Sequence, residues 1–196
     1  MDDCAELTEL IQRAVRGDGT AAEALFAATY EELRALARAR LRAGGRNTLL
    51  DTTSLVHEWY VRFAKARQIE LKDRGHFMRY AGRAMHTIIV DFARQRSAQR
   101  RGGAAPREAL DPERAGAAAD QEILGVHQAL QELSALSPRM AEVVELRYFG
   151  GMSVEETAEV LKVSPQTVMR DWNMAKLWLL RALRHSPAPE QATEGP

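Results

Sequence analysis

Glu155 to Ala182 reads EETAEVLKVSPQTVMRDWNMAKLWLLRA, and this stretch decides the fold of the C-terminal third. Ser153 caps a short helix that runs to about Lys162. Ser164-Pro165 then supplies the N-cap and first-turn proline of a second helix, which runs to about Arg184. Two helices joined by so tight a turn fit a helix-turn-helix. Ala158 is small where the helices approach, Val163 plugs the corner, and Lys162 holds the turn position that glycine usually fills. On the second helix Val168, Trp172, Ala175, Leu179 and Leu183 line up as a buried face. Gln166, Arg170, Asn173, Leu177, Arg181 and Arg184 fall opposite. A helix that enters a major groove needs donors and acceptors on such a face. Phosphates need Arg or Lys, which Arg170, Lys176, Arg181 and Arg184 provide. A plain amphipathic helix in a bundle would show the same two faces.

Every other segment with a clear period also has the helical one. Pro138 suits a first turn, so Pro138 to Phe149 reads as a helix ended by Gly150-Gly151, and Gln121 to Ser134 as the helix before it. Upstream, helices are expected at Ala5 to Arg16, Thr20 to Arg42 (ended by Gly44-Gly45), Thr52 to Arg67 and Asp73 to about Arg101. Phe77, Ala81, Ala84, Met85, Ile88 and Phe92 form the apolar stripe of the last. Gly102 to Ala119 holds twelve Gly, Ala or Pro among eighteen residues and reads as a flexible linker. The fold class is therefore all-α: two helical domains, residues 1–101 and 121–185, with a linker over 102–120 and a disordered tail over 186–196.

With 196 residues, 45% hydrophobic and only 6% aromatic, the composition argues against a β-sandwich or barrel. Cys4 is the single cysteine, which excludes an internal disulfide and a thiolate zinc site. No metal or cofactor is expected. The N-terminus is acidic and lacks an apolar segment, and no apolar run is long enough to cross a bilayer; a cytoplasmic monomer is expected.

Lys+Arg 27 balances Asp+Glu 27, but the charges are segregated. Met1 to Leu33 holds eight acids and two bases, whereas His76 to Arg107 holds seven arginines and one acid, Asp91. Glu108 to Glu145 reverses this, with eight acids and two arginines. On the long helix Arg79, Arg83, His86, Arg94, Ser97 and Arg101 share the face opposite the apolar stripe, with Phe77 and Tyr80 near its start. A ladder of cations with aromatics suits a phosphate backbone and unstacked bases. A solvated Arg-rich face is the plainer alternative.

Three segments together resemble extracytoplasmic-function (ECF) sigma factors of the sigma-70 family. DTTSLVHEWYVRFAK (Asp51 to Lys65) resembles their region 2.2, usually DAEDLVQETFLRAWR. FMRYAGRAMHTIIVDFARQR (Phe77 to Arg96) resembles regions 2.3 and 2.4, and Leu136 to Leu179 resembles region 4. The VDFARQR and DW..AK.WL signatures place the resemblance with the ECF-like branch. It implies a promoter-specificity subunit of bacterial RNA polymerase, bound to the β′ coiled coil through the N-terminal domain and to the β flap through the C-terminal one. By position, it implies minus thirty-five contacts at Gln166, Thr167, Met169, Arg170, Asp171, Asn173 and Lys176. It implies a minus ten surface of Lys72, Arg74, His76, Arg83, His86 and Thr87, and a core-polymerase face of Asp51, Leu55, Val56, Glu58, Trp59 and Arg62.

One departure stands out. Thr53 and Ser54 replace the two acids that end the usual DAED, and the resemblance implies that those acids face basic residues of β′. Phosphorylation would restore charge at a helix N-terminus, in the order Thr53, Thr52, Ser54, through a Ser/Thr kinase. Simple helix capping by the same hydroxyls is the alternative. A helix-turn-helix regulator that never touches polymerase would need a ligand pocket or dimer interface in the first hundred residues, where the Arg ladder lies instead. An enzyme is not expected. His57 with Glu58, or Asp91 with His86, make poor dyads, and no Gly-rich loop or nucleophile motif is present.

Overall fold

The structure, a computed structural model, describes residues 3–43, 50–66, 69–102 and 112–185. Among these it is all-α, with eight α-helices in the order expected and no strand. The helices are α1 (Asp3–Val15), α2 (Gly19–Ala43), α3 (Thr52–Lys65), α4 (Arg74–Gly102), α5 (Pro112–Leu136), α6 (Pro138–Val144), α7 (Val154–Leu161) and α8 (Pro165–His185). None is long and apolar enough to cross a membrane. The expected tail, the Gly44-Gly45 stop and residues 103–111 of the expected linker lie outside the described residues.

The local chemistry explains the boundaries. Asp18 caps α2 by accepting from the Ala21 N–H at 3.0 Å and is held by Arg13 at 2.8 Å. Ser153 and Glu156 form a reciprocal capping box at the start of α7. Lys162 ends α7 in the left-handed region, φ 54° and ψ 44°, filling without a glycine the turn that the sequence marked. Ser164 then accepts from the Thr167 N–H at 3.2 Å and shares a hydroxyl hydrogen bond with Thr167 at 2.9 Å.

The first core gathers α1–α4. Leu25, Leu33, Leu55, Trp59, Phe77 and Met85 are almost fully enclosed. Trp59 stacks on Phe63, centroids 5.3 Å apart, and Phe77 meets both rings edge-on. A second core joins Leu133, Ala141, Val144, Phe149 and Ala175, and a third, under the helix-turn-helix, joins Val143, Ala158 and Val168.

Two features differ from the sequence reading. The linker does not extend to residue 120, because α5 begins at Pro112. Alanine is the strongest helix former, so an Ala-rich run behind a first-turn proline is helical when a neighbour holds it. That neighbour is α4. Asp120, buried, lies 3.1 Å from Arg96 and 2.7 Å from Arg100, and Ile123 joins the first core. The helix expected over Pro138 to Phe149 also changes type part-way. Glu145–Phe149 forms a π-helical turn, closed by Gly150 N–H to Glu145 C=O at 2.7 Å.

Candidate nucleic-acid interface

The second helix of the helix-turn-helix, α8, packs Val168 and Ala175 inward and holds Gln166, Met169, Arg170, Asn173 and Lys176 outward. Its start is fixed by the Ser164–Thr167 hydrogen bonds, so the Thr167 hydroxyl is engaged in the cap. Asp171 does not join the outer face. It is 4% exposed and receives Arg139 Nε at 2.6 Å, with Arg170 Nε at 3.5 Å. It is a positioning residue that ties α6 to α8, rather than a group aimed at bases. Arg139, which the sequence reading passed over, is thereby fixed beside Arg170. Sequence offered no sign of this pair, because its members stand 32 residues apart.

On the N-terminal helices, His76, Arg83 and Thr87 are brought together around a cavity of about 430 Å³, with Ile69, Glu70, Leu71, Arg79, Tyr80 and Ala84 completing its wall. The loop before α4 and the first turns of α4 build it. Asp73 fixes the loop by accepting from the His76 backbone and ring, each at 2.9 Å. Burial pushes the Asp73 carboxyl up, but the hydrogen bonds from His76 outweigh it and leave the group below its ordinary value. Burial also raises the Tyr80 phenol. The lining is mixed: Ile69, Leu71, Tyr80 and Ala84 are apolar or aromatic, Arg79 and Arg83 are cationic, and Glu70 is acidic. Of the other residues assigned to this surface, His86 joins Arg83 and Thr87 around a second cavity, whereas Lys72 and Arg74 line neither. Lys72 is exposed on the loop, Arg74 pairs with Glu32 at 2.6 Å, and His86 turns toward α5 and the π-helical turn.

The face assigned to core polymerase needs correcting. Leu55, Val56 and Trp59 are 0%, 2% and 1% exposed. They form the packing stripe of α3 on the first core, so they are closed to a partner. The apolar spacing that suggested a docking face is the spacing that any core-facing helix requires. What α3 shows outward is polar: Asp51, Thr53, Ser54 and His57 are exposed. Arg62 bridges Glu58 at 3.0 Å and Asp91 of α4 at 3.1 Å. Asp91 engages Arg62, and the His86 ring faces His127 at 3.3 Å.

Asp51 is the N-cap of α3. Its carboxylate accepts from the Thr53 and Ser54 N–H groups at 2.8 and 2.9 Å and from the Ser54 hydroxyl at 2.8 Å. The Ser54 backbone bond, then its hydroxyl, hold the carboxyl below the ordinary carboxylate value. Capping thus falls to Asp51, not to the Thr and Ser side chains. Ser54 is spent on the cap, whereas Thr53 is exposed.

The α7–α8 pair thus exposes Gln166, Arg170, Asn173 and Lys176 beside the apolar Met169, Met174 and Leu177, and α4 borders a cavity of about 430 Å³ with Arg79 and Arg83. Residues 4–185 match the ECF sigma factor family, and the chain belongs to it. A search among curated proteins finds no match. The family consists of transcription factors, not enzymes, and its partners are RNA polymerase and promoter DNA.

Proposed function

We propose that this chain directs RNA polymerase to promoters in which α8 reads the minus thirty-five element and the cavity beside α4 holds a minus ten base. The single observation behind this reading is the geometry of α8. It displays Gln166, Arg170, Asn173 and Lys176 outward while Asp171 locks its back to α6 through Arg139. Gln and Asn match adenine edges and Arg matches guanine, so the outer face carries base-reading chemistry, with Lys176 left for phosphate. Residues 1–101 carry polymerase binding and minus ten recognition, and 121–185 carry the helix-turn-helix. The experiment is co-elution of the full chain with core RNA polymerase, together with a mobility shift of promoter duplex by the reconstituted holoenzyme. A helix-turn-helix repressor would shift DNA but not co-elute.

The same reading includes a switch at α3. Losing two acids from a charged interface weakens it, since close interfacial charge pairs are worth a few kcal/mol. Thr53 offers an exposed hydroxyl where the family pattern has an acid. Phosphate there adds a charge of about −1.5 to −2 on the outer face of the first turn. Asp51 already fills the helix N-terminus, so the phosphate is directed to the partner and not to the helix's own N–H groups. Ser54 is the poorest acceptor, because its hydroxyl is engaged by Asp51 and a phosphate would sit against that carboxylate. Thr52 is half-buried. Core binding of kinase-treated wild type, Thr53→Ala and Thr53→Glu tests the switch. The treated protein binds tightly and Thr53→Ala does not respond to the kinase. Equal binding by untreated and treated wild type removes the switch.

A further inference from the structure

His86 of α4 and His127 of α5 stand 41 residues apart in the chain and meet ring to ring beside the second cavity. His86 Nε2 and His127 Nδ1 are 3.3 Å apart, the ring centroids are 5.4 Å apart, and the planes are inclined at 38°. The rings therefore meet tip to tip through nitrogen and do not stack. An N–H hydrogen bond usually spans about 2.7–3.2 Å between heavy atoms. Two nitrogens bound to one tetrahedral ion, each about 2.0–2.1 Å from it, stand about 3.3–3.4 Å apart. The spacing of this pair fits the second arrangement.

The surroundings suit the same chemistry. Burial, ahead of any neighbouring charge, holds both imidazoles below their ordinary pKa, so the neutral form that donates a lone pair prevails at neutral pH. The cavity beside them, of about 230 Å³, carries Thr87, Gln131, Ser134 and Glu145 next to the apolar Leu130 and Phe149. It has room and polar partners for several waters.

We propose that His86 and His127 form a two-imidazole site for a divalent ion of the zinc type, bridging α4 and α5. Imidazole suits zinc, nickel and copper, whereas magnesium and calcium take oxygen ligands. Among the described residues no group of three His, Cys, Asp or Glu side chains is placed to hold an ion. The protein thus supplies two nitrogens, and water in the cavity completes the coordination. Such an ion exchanges readily, unlike a structural zinc closed by four protein ligands. Glu145 is engaged by Arg79 and Arg83 and does not neutralise the ion, and the charge of Arg40, which already acts on His86, opposes it. Both effects keep the affinity in the micromolar range. The site does not depend on the promoter-binding reading.

Isothermal titration of the full chain with zinc chloride, beside magnesium chloride, reads the site. Wild type is expected to take up zinc at this site and to show no magnesium heat. Loss of even an outer partner costs a metal site about 10–100-fold in affinity, so His127→Ala and His86→Gln, each leaving one ligand, are expected to weaken it by about tenfold or more. His57→Ala, on the exposed side of α3, is expected to leave it unchanged. X-ray absorption of the zinc-loaded wild type gives a reading that depends on no variant's folding, and is expected to show two imidazole nitrogens at about 2.0 Å together with oxygen. A wild type that takes up no zinc, zinc affinity that survives both histidine substitutions, or an absorption spectrum without imidazole scattering overturns the site.

Discussion

Helices α4 and α8 are built alike and used differently. Each sets an apolar stripe against a core and Arg-bearing positions opposite, those of α8 standing among the exposed Met169, Met174, Leu177 and Leu180. On α8 the outer stripe, from Gln166 to Lys176, faces solvent. On α4 the corresponding stripe meets Glu142 and Glu145 of the same chain through Arg79 and Arg83, and beside it Arg96 and Arg100 meet Asp120. Charge pattern tells which face of a helix is polar. Whether that face is available depends on what the rest of the chain lays on it. Three acids that follow the arginines in the chain, Asp120, Glu142 and Glu145, are the occupants.

The largest expected effect separates the two helices through their cores. Trp59→Ala empties the aromatic stack beneath α4 and should cost about 3–5 kcal/mol of stability. Hydrogen exchange should then speed up across α1–α4 and leave α7–α8 least affected. Full stability in this variant would restore Trp59 as a docking residue. Next comes α8 itself. Arg170→Ala should weaken binding to minus thirty-five duplex by about 1–3 kcal/mol, measured as a dissociation constant at fixed salt. Arg181→Ala should lose less, and only through salt-dependent attraction.

The contact covering α4 should also answer to pH. Burial first, then His127 and Arg40, push the His86 imidazole down from 6.5 to about 4, and burial and Arg94 push His127 down against the opposing pull of Asp91. Glu145 and Arg83 line the cavity beside the pair. A depressed histidine stays neutral when folded while the unfolded chain takes up a proton, so stability is lost as pH falls from 6.5 toward about 4. His86→Gln should flatten that slope in thermal unfolding curves, and an unchanged slope would assign it elsewhere. The smallest effect lies in the turn before α8. Lys162→Gly relieves the left-handed backbone and should stabilise by about 1 kcal/mol in chemical denaturation, with duplex affinity unchanged.

Much of this architecture was legible because it is written locally. Ser153, Ser164-Pro165 and the 3.6-residue spacing on α8 specify their helices within a few residues, and the structure places them as read. Two local readings failed for identifiable reasons. Ala-rich composition around Gly116 suits both a flexible segment and a helix, and only Asp120 meeting Arg96 and Arg100 decides between them. An apolar stripe on α3 suits both a partner and a core, and only the enclosure of Leu55 and Trp59 decides. What sequence could not show were the long-range pairs. Asp171 with Arg139, and Glu145 with Arg79 and Arg83, join residues far apart in the chain, and no periodicity encodes them.

The most direct measurement is run-off transcription with purified core RNA polymerase on the fragment upstream of this chain's own operon, using unmodified and kinase-treated protein. The expected result is a discrete start site that depends on the chain, appears more strongly after kinase treatment, and weakens with Arg170→Ala. Absence of initiation with both forms of the protein would contradict it.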